Sequence, residues 1–163
     1  MRRRLLLTSG DKEAVDLGLS VLWASGNLTK DSSGNYSIAA PYSVGAYFSW
    51  ANIDGYRVSG QTDNYEFTWA KYNRTQGSNL TKSFRSGDVE YDAASARLGG
   101  DWRIPTVNEA NELLSECTWT WKTYIISATR SIKGYEVVGP NNKNIFLPAR
   151  WHIPRWYIRI NFQ

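Results

Sequence analysis

Few residues in this chain of 163 amino acids are equipped for covalent or metal chemistry. Cys117 is the sole cysteine and His152 the sole histidine. A single thiol cannot make an intramolecular disulfide, a redox pair or a cysteine-based zinc site, and a zinc centre of mixed His/Cys type needs partners that the chain lacks. Asp88, Glu90 and Asp92 are close in sequence. Acidic side chains spaced like this read as the N-terminus of a helix, where the helix dipole favours negative charge. The stretch Gly139-Pro-Asn-Asn-Lys-Asn144 offers amide oxygens, but calcium needs several converging hard oxygens, and Lys143 brings a like charge instead of a carboxylate. No Ser-His-Asp set can be assembled around His152. The expectation is a protein that is not an enzyme, with no metal and no cofactor.

Recognition chemistry is better represented. The chain holds eight Trp and ten Tyr beside one Met. Such side chains combine large apolar area with a polar tip and suit both cores and binding surfaces. Trp151, His152, Arg155, Trp156, Tyr157 and Arg159 concentrate aromatic and cationic groups near the C-terminus and form the candidate ligand-binding set. The competing reading of the same stretch is a closing strand, since Trp156, Ile158, Ile160 and Phe162 alternate. Trp23, Trp50, Trp102, Trp119 and Trp121 are expected in the core.

Charge argues against nucleic acid as a partner. The chain has 19 basic and 15 acidic residues, net +4. Arg2, Arg3, Arg4, Arg150, Arg155 and Arg159 sit at the two ends, and without them 13 basic residues face 15 acidic ones. A body with that balance has no basic stripe for phosphates. The first residues include a basic run, but only Leu5 to Leu7 follow as an apolar stretch, short of the ~7–15 residues of a signal-peptide core. Nothing approaches the ~20 apolar residues of a membrane span. The expectation is no membrane insertion and no export signal within this sequence.

The elements that must carry these groups follow from periodicity. Leu17, Leu19, Val21 and Trp23 alternate with smaller or polar neighbours, which predicts a half-buried strand over 13–25. Residues 26–36 are rich in Asn, Ser, Asp and Gly and read as a loop. An aromatic strand is expected over 46–51. Residues 52–87 read as a long ordered loop pinned by Tyr65, Phe67, Trp69 and Tyr72. A helix is predicted over 88–98, stopped by Gly99 and Gly100. Thr106-Val-Asn-Glu109 has the pattern of a capping box, with Pro105 before it. Val107, Ala110, Leu113, Leu114 and Cys117 make one apolar stripe, in which Cys117 acts as a small hydrophobe. Residues 118–123 alternate and place Trp119 and Trp121 on one face. Residues 134–138 and 144–148 flank a turn and predict a hairpin. Four Asn-x-Ser/Thr sequons, at Asn27, Asn35, Asn73 and Asn79, read as polar loops. Strands, then helices, then strands indicate an α+β domain.

Several strings also resemble a known family. They are Ala14-Val-Asp-Leu-Gly-Leu-Ser-Val-Leu-Trp-Ala24, Gly45-Ala-Tyr-Phe-Ser-Trp50, Asp92-Ala-Ala94, Leu98-Gly-Gly-Asp-Trp-Arg-Ile-Pro-Thr106, Glu112-Leu-Leu114, Cys117-Thr-Trp-Thr-Trp121, Gly134-Tyr-Glu-Val-Val-Gly-Pro140 and Ile145-Phe-Leu-Pro-Ala149. In this order they resemble the "major paralogous domain" family of Fibrobacter and gut Bacteroidetes, over residues 13–149. The resemblance implies a C-type-lectin-like fold related to the formylglycine-generating enzymes, with two helices packed on small antiparallel sheets. It implies an extracellular or cell-surface setting. It also implies kinship with the variable proteins of diversity-generating retroelements, whose C-terminal segment carries the ligand-binding residues. The formylglycine-generating relatives use paired cysteines, which this chain does not have.

After Ala149 the strings depart from the family, whose Gly-Tyr-rich final strands are replaced by residues 150–163. The expected organisation is therefore an extension over 1–12, the C-type-lectin-like domain over 13–149 with its last strands partly missing, and a divergent basic and aromatic tail over 150–163. An ending altered near Ala149 would leave the domain less stable and prone to self-association. The expected function is a ligand-binding or adhesion module of a bacterial surface or of a phage, with a protein or glycan ligand. The alternative is a structural module of a larger exported protein with no ligand of its own.

Overall fold

The computed structural model describes residues 14–49, 51–57 and 85–149. Among them are nine strands and two helices. The strands are β1 (Ala14–Val15), β2 (Trp23–Ala24), β3 (Leu28–Lys30), β4 (Tyr36–Ile38), β5 (Tyr47–Phe48), β6 (Gly55–Tyr56), β7 (Thr118–Ser127), β8 (Arg130–Val138) and β9 (Asn144–Ala149). The helices are α1 (Ala93–Leu98) and α2 (Val107–Glu116), which fall between β6 and β7. The first six strands form three antiparallel two-stranded ribbons, and the last three form one antiparallel sheet in the order β7-β8-β9. The architecture is mixed α+β, as the sequence predicts.

Residues 13–25 do not form one strand. β1 pairs back on β2, with Ala14 opposite Ala24 and Val15 opposite Trp23. Gly18 turns the chain between them at φ +81°, which an L side chain rarely adopts, and its N–H donates to Asp16 Oδ1 at 2.8 Å. The alternation in the sequence is real, but it marks side chains reaching the core from a looped segment. Leu17 is fully buried there and packs with Leu113, Val137 and Ile145, while Val15, Leu19, Trp23, Cys117, Trp119 and Leu147 close around this cluster.

The predicted loop over 26–36 contains half of a ribbon. β3 and β4 pair with Leu28 opposite Ile38 and Lys30 opposite Tyr36, so only residues 31–35 turn. Asp31 organises that turn by accepting from the backbone N–H groups of Ser33 and Asn35, each at 2.8 Å. The Asn35 donors hold the Asp31 carboxyl below its ordinary range. Within the predicted loop over 52–87, residues 55–56 instead pair as β6 with β5. Tyr65, Phe67, Trp69 and Tyr72 lie outside the described residues.

The first helix is shorter than predicted. Residues 88–91 turn before it, and Asp92 is its N-cap, accepting from Ser95 N–H at 3.1 Å. In α2 the capping box forms as predicted. The Glu109 N–H donates to Thr106 Oγ1 at 3.3 Å, and the Thr106 N–H donates to Glu109 Oε2 at 2.8 Å. The stripe of α2 is only partly covered. Ala110 and Leu113 are buried, but Val107 and Leu114 are exposed. The sheet covers a narrower band of the helix than its apolar residues span.

β7 and β8 extend beyond the predicted strands and join through Ala128 and Thr129, a tight turn with neither Gly nor Asn. The β8–β9 hairpin forms as predicted, with Val138 opposite Asn144 and Lys133 opposite Ala149. Side chains alternate across this sheet. One face carries Trp119, Trp121, Thr123 and Ile125 with Val137, Tyr135, Ile145 and Leu147, and its Trp119 end is the core. The other face carries Tyr124 and Phe146, 5.5 Å apart between ring centroids, and Tyr42 stacks on Tyr124 at 5.6 Å.

Candidate functional site: an exposed aromatic sheet face

Two clusters bring chemistry-bearing side chains together. The first is polar and lies where residues 85–92, α1, the link 99–106 and α2 meet. Asp92 is fully buried. Besides capping α1, its carboxylate accepts from the backbone N–H groups of Gly87 at 2.8 Å and Ile104 at 2.9 Å. Arg103 then reaches across to Glu109, with Nη1 donating to Oε2 at 2.7 Å, and also donates to Ser86 Oγ at 2.9 Å. This guanidinium holds the Glu109 carboxyl at about 2, well below its ordinary value. The carboxylates of Asp92 and Glu109 are met by backbone N–H groups and by the Arg103 guanidinium. The arrangement fastens irregular backbone.

The residues weighed for catalysis do not converge. Asp88, Glu90 and Asp92 separate, since Asp88 Oδ1 accepts from Glu90 N–H at 3.2 Å while Asp92 turns inward. Cys117 is half-buried at the end of α2. Burial pushes its thiol up, and the charges of Glu112 and Glu116 add to the shift. Asn141 of the β8–β9 turn spends its amide on Asp16, donating to the backbone oxygen at 2.7 Å. Among the described residues no three His, Cys, Asp or Glu side chains gather as a metal site. Trp151, His152, Arg155, Trp156, Tyr157 and Arg159 lie outside the described residues, as does Trp50.

The second cluster is aromatic and faces water. Trp121 is 46% exposed, Tyr135 41% and Ile125 75%, all on the face of the sheet whose other end is the core. Tyr135 stands opposite Trp121, with the rings edge to face at 4.9 Å, and Trp119 meets the same Tyr135 at 5.7 Å. Trp119 is anchored from below, its indole N–H donating to the Leu113 backbone oxygen at 3.2 Å. Trp121 is thus no core residue, which corrects the expectation for it. Trp23, Trp102 and Trp119 are half-buried. Past Trp119 the face is exposed at Trp121 and Ile125. The sequence signal for this site was the Trp-Thr-Trp alternation. The run Tyr124-Ile-Ile126, rich in β-branched residues, could have extended it.

A fixed pair of rings at an exposed sheet end offers flat apolar area without the entropy cost of ordering long side chains. It can hold the apolar face of a sugar ring or an aromatic or aliphatic side chain. By register Thr123, Ser131 and Lys133 share this face with the two rings. Compared with family models, with curated proteins and with solved structures, the chain matches none.

Proposed function

We propose that this chain is a non-enzymatic ligand-binding module of C-type-lectin-like build, belonging to a bacterial surface or to a phage that meets one, and that its ligand lies across Trp121 and Tyr135. The observation that carries the reading is the edge-to-face pair at 4.9 Å standing exposed on a rigid sheet. The family resemblance over 13–149 supports the fold and the setting. The ligand classes that suit the rings are a glycan or a peptide, through stacking and apolar contact. A structural module with no ligand would have no need of two large exposed rings, since these add little to stability and carry an aggregation liability.

The test is an array of glycans and peptides probed with the intact chain and with Trp121→Ala. The expected result is binding in the micromolar range that falls by about tenfold or more in the variant, in line with loss of an aromatic anchor. The melting temperature should stay the same. A folded protein that binds nothing on either array, or binding unchanged by the substitution, would overturn the reading in favour of a structural module.

A further inference from the structure

The sheet β7-β8-β9 has two outer edges among the described residues, and they are built differently. β9 is six residues long and contains Pro148, which has no N–H to offer a neighbour. β7 is ten residues long and contains neither Pro nor Gly. Its sequence, Thr-Trp-Thr-Trp-Lys-Thr-Tyr-Ile-Ile-Ser, is made almost wholly of β-branched and aromatic residues. Edge strands of this kind are templates for pairing, and proteins usually guard them with a charge or a proline. The single charge on β7 is Lys122, and it is drawn inward: its ammonium bonds Glu136 on the neighbouring strand β8. The guard is turned away from the edge.

We propose that β7 pairs antiparallel with β7 of a second copy of this chain, about a two-fold axis at Thr123. The argument for a second copy is that the strand complements itself in one register. A two-fold perpendicular to the sheet keeps the faces continuous, so a residue can only lie opposite one of its own face. Centring on Lys122 places two like-charged residues directly opposite each other, which disfavours it. Centring on Trp121 or on Tyr124 shortens the overlap. Centring on Thr123 keeps the overlap long. It places Trp121 opposite the partner's Ile125 and Lys122 opposite the partner's Tyr124, and each pair occurs twice. The first sets an aromatic on a β-branched side chain, and the second separates the two Lys122 positions. The paired sheets become one six-stranded sheet, and both exposed Trp121 rings come to lie on one face. The pairing does not require the ligand-binding reading to hold, but it would make any ligand site on that face bivalent.

The experiment uses the full chain. Sedimentation equilibrium across the micromolar range should show a monomer–dimer equilibrium. Thr123→Lys, on an exposed position, should weaken dimerisation by about tenfold or more by opposing two like charges on the axis. Its melting temperature, extrapolated to low concentration, should be unchanged. Ile125→Lys serves as the second variant should the first fail to fold. To read the register, Cys117→Ser provides the background for single cysteines at 119, 121, 123 and 125, each carrying a nitroxide. The interlabel distance should be shortest at 123. A wild-type chain that stays monomeric at the highest concentration, dimers indifferent to both charge variants, or a distance minimum at another position would each overturn the proposal.

Discussion

The polar junction around Asp92 and the sheet β7-β8-β9 solve the same problem in opposite ways. In the junction the backbone of residues 85–92 and 99–106 has no ladder to join; turns satisfy some of its N–H groups and side chains satisfy others. Asp92 alone takes those of Gly87, Ser95 and Ile104. In the sheet the ladder satisfies the backbone, and the side chains are released. They fill the core at the Trp119 end and stand in water at the Trp121 end. Where side chains hold the backbone they are unavailable for recognition; where the backbone holds itself they are free for it. This is why the junction reads as structure and the sheet face as a site.

The contrast predicts very different costs for substitutions in the two regions. Asp92→Ala should be the most damaging, because it leaves three backbone donors without their acceptor in a fully buried position. A loss of about 3 kcal/mol or more is expected in urea unfolding, and a loss below 1 would break the comparison. Gly139→Ala tests how tightly the sheet's last turn meets the first segment. A Cβ there would lie 2.0 Å from the Leu17 backbone oxygen, so the backbone must shift, at a cost of about 1–3 kcal/mol.

Acid should loosen the junction before the sheet. Glu109 titrates at about 2 in the folded protein against an ordinary 4.5, because Arg103 holds its charged form. A lowered folded-state value means that its stabilisation is complete above about pH 4.5 and is lost as the pH falls toward about 2. Glu109→Gln should flatten that part of the stability–pH curve; a curve of unchanged slope would remove the ion pair from the explanation. Thr106→Ala should cost roughly 1 kcal/mol in the same unfolding assay, the usual value of one N-cap. Tyr135→Ser should cost about 1 kcal/mol, through loss of its ring pairs with Trp119 and Trp121, while weakening any ligand bound at Trp121.

The local features of this fold were legible in the sequence, and the contacts between distant segments were not. The capping box at Thr106 and Glu109 is a contact across three residues, and its pattern is its own evidence. The β8–β9 hairpin is announced by its Gly139 turn. Residues 13–25 misled because their alternation is the same whether a strand or a loop delivers Leu17 to the core. What decides it is Gly18, together with Gly139 and Asn141 more than a hundred residues later. Val107 and Leu114 continue an apolar stripe, but the width of the covering sheet sets where the stripe stops being core. Trp121 and Trp119 are two positions apart on the same face, and the alternation alone does not tell the half-buried ring from the exposed one. The aromatic and basic set at 151–159 lies outside the described residues, and the site on the sheet was legible only as far as the Trp-Thr-Trp string.

The bond from Asn141 to the backbone oxygen of Asp16 spans 125 positions, and Leu17 finds its place only beside Gly139 and Val137. During synthesis the opening segment therefore emerges long before the strands that will cover it. At ribosomal rates of about 5–20 residues per second, Leu17 would wait roughly 6–25 s for its partners. The core around Leu17 can close only once β8 and β9 have left the exit tunnel. This domain must complete its folding after nearly all of it has been made, and in that interval Leu17, Leu19 and Trp23 are exposed to chaperones.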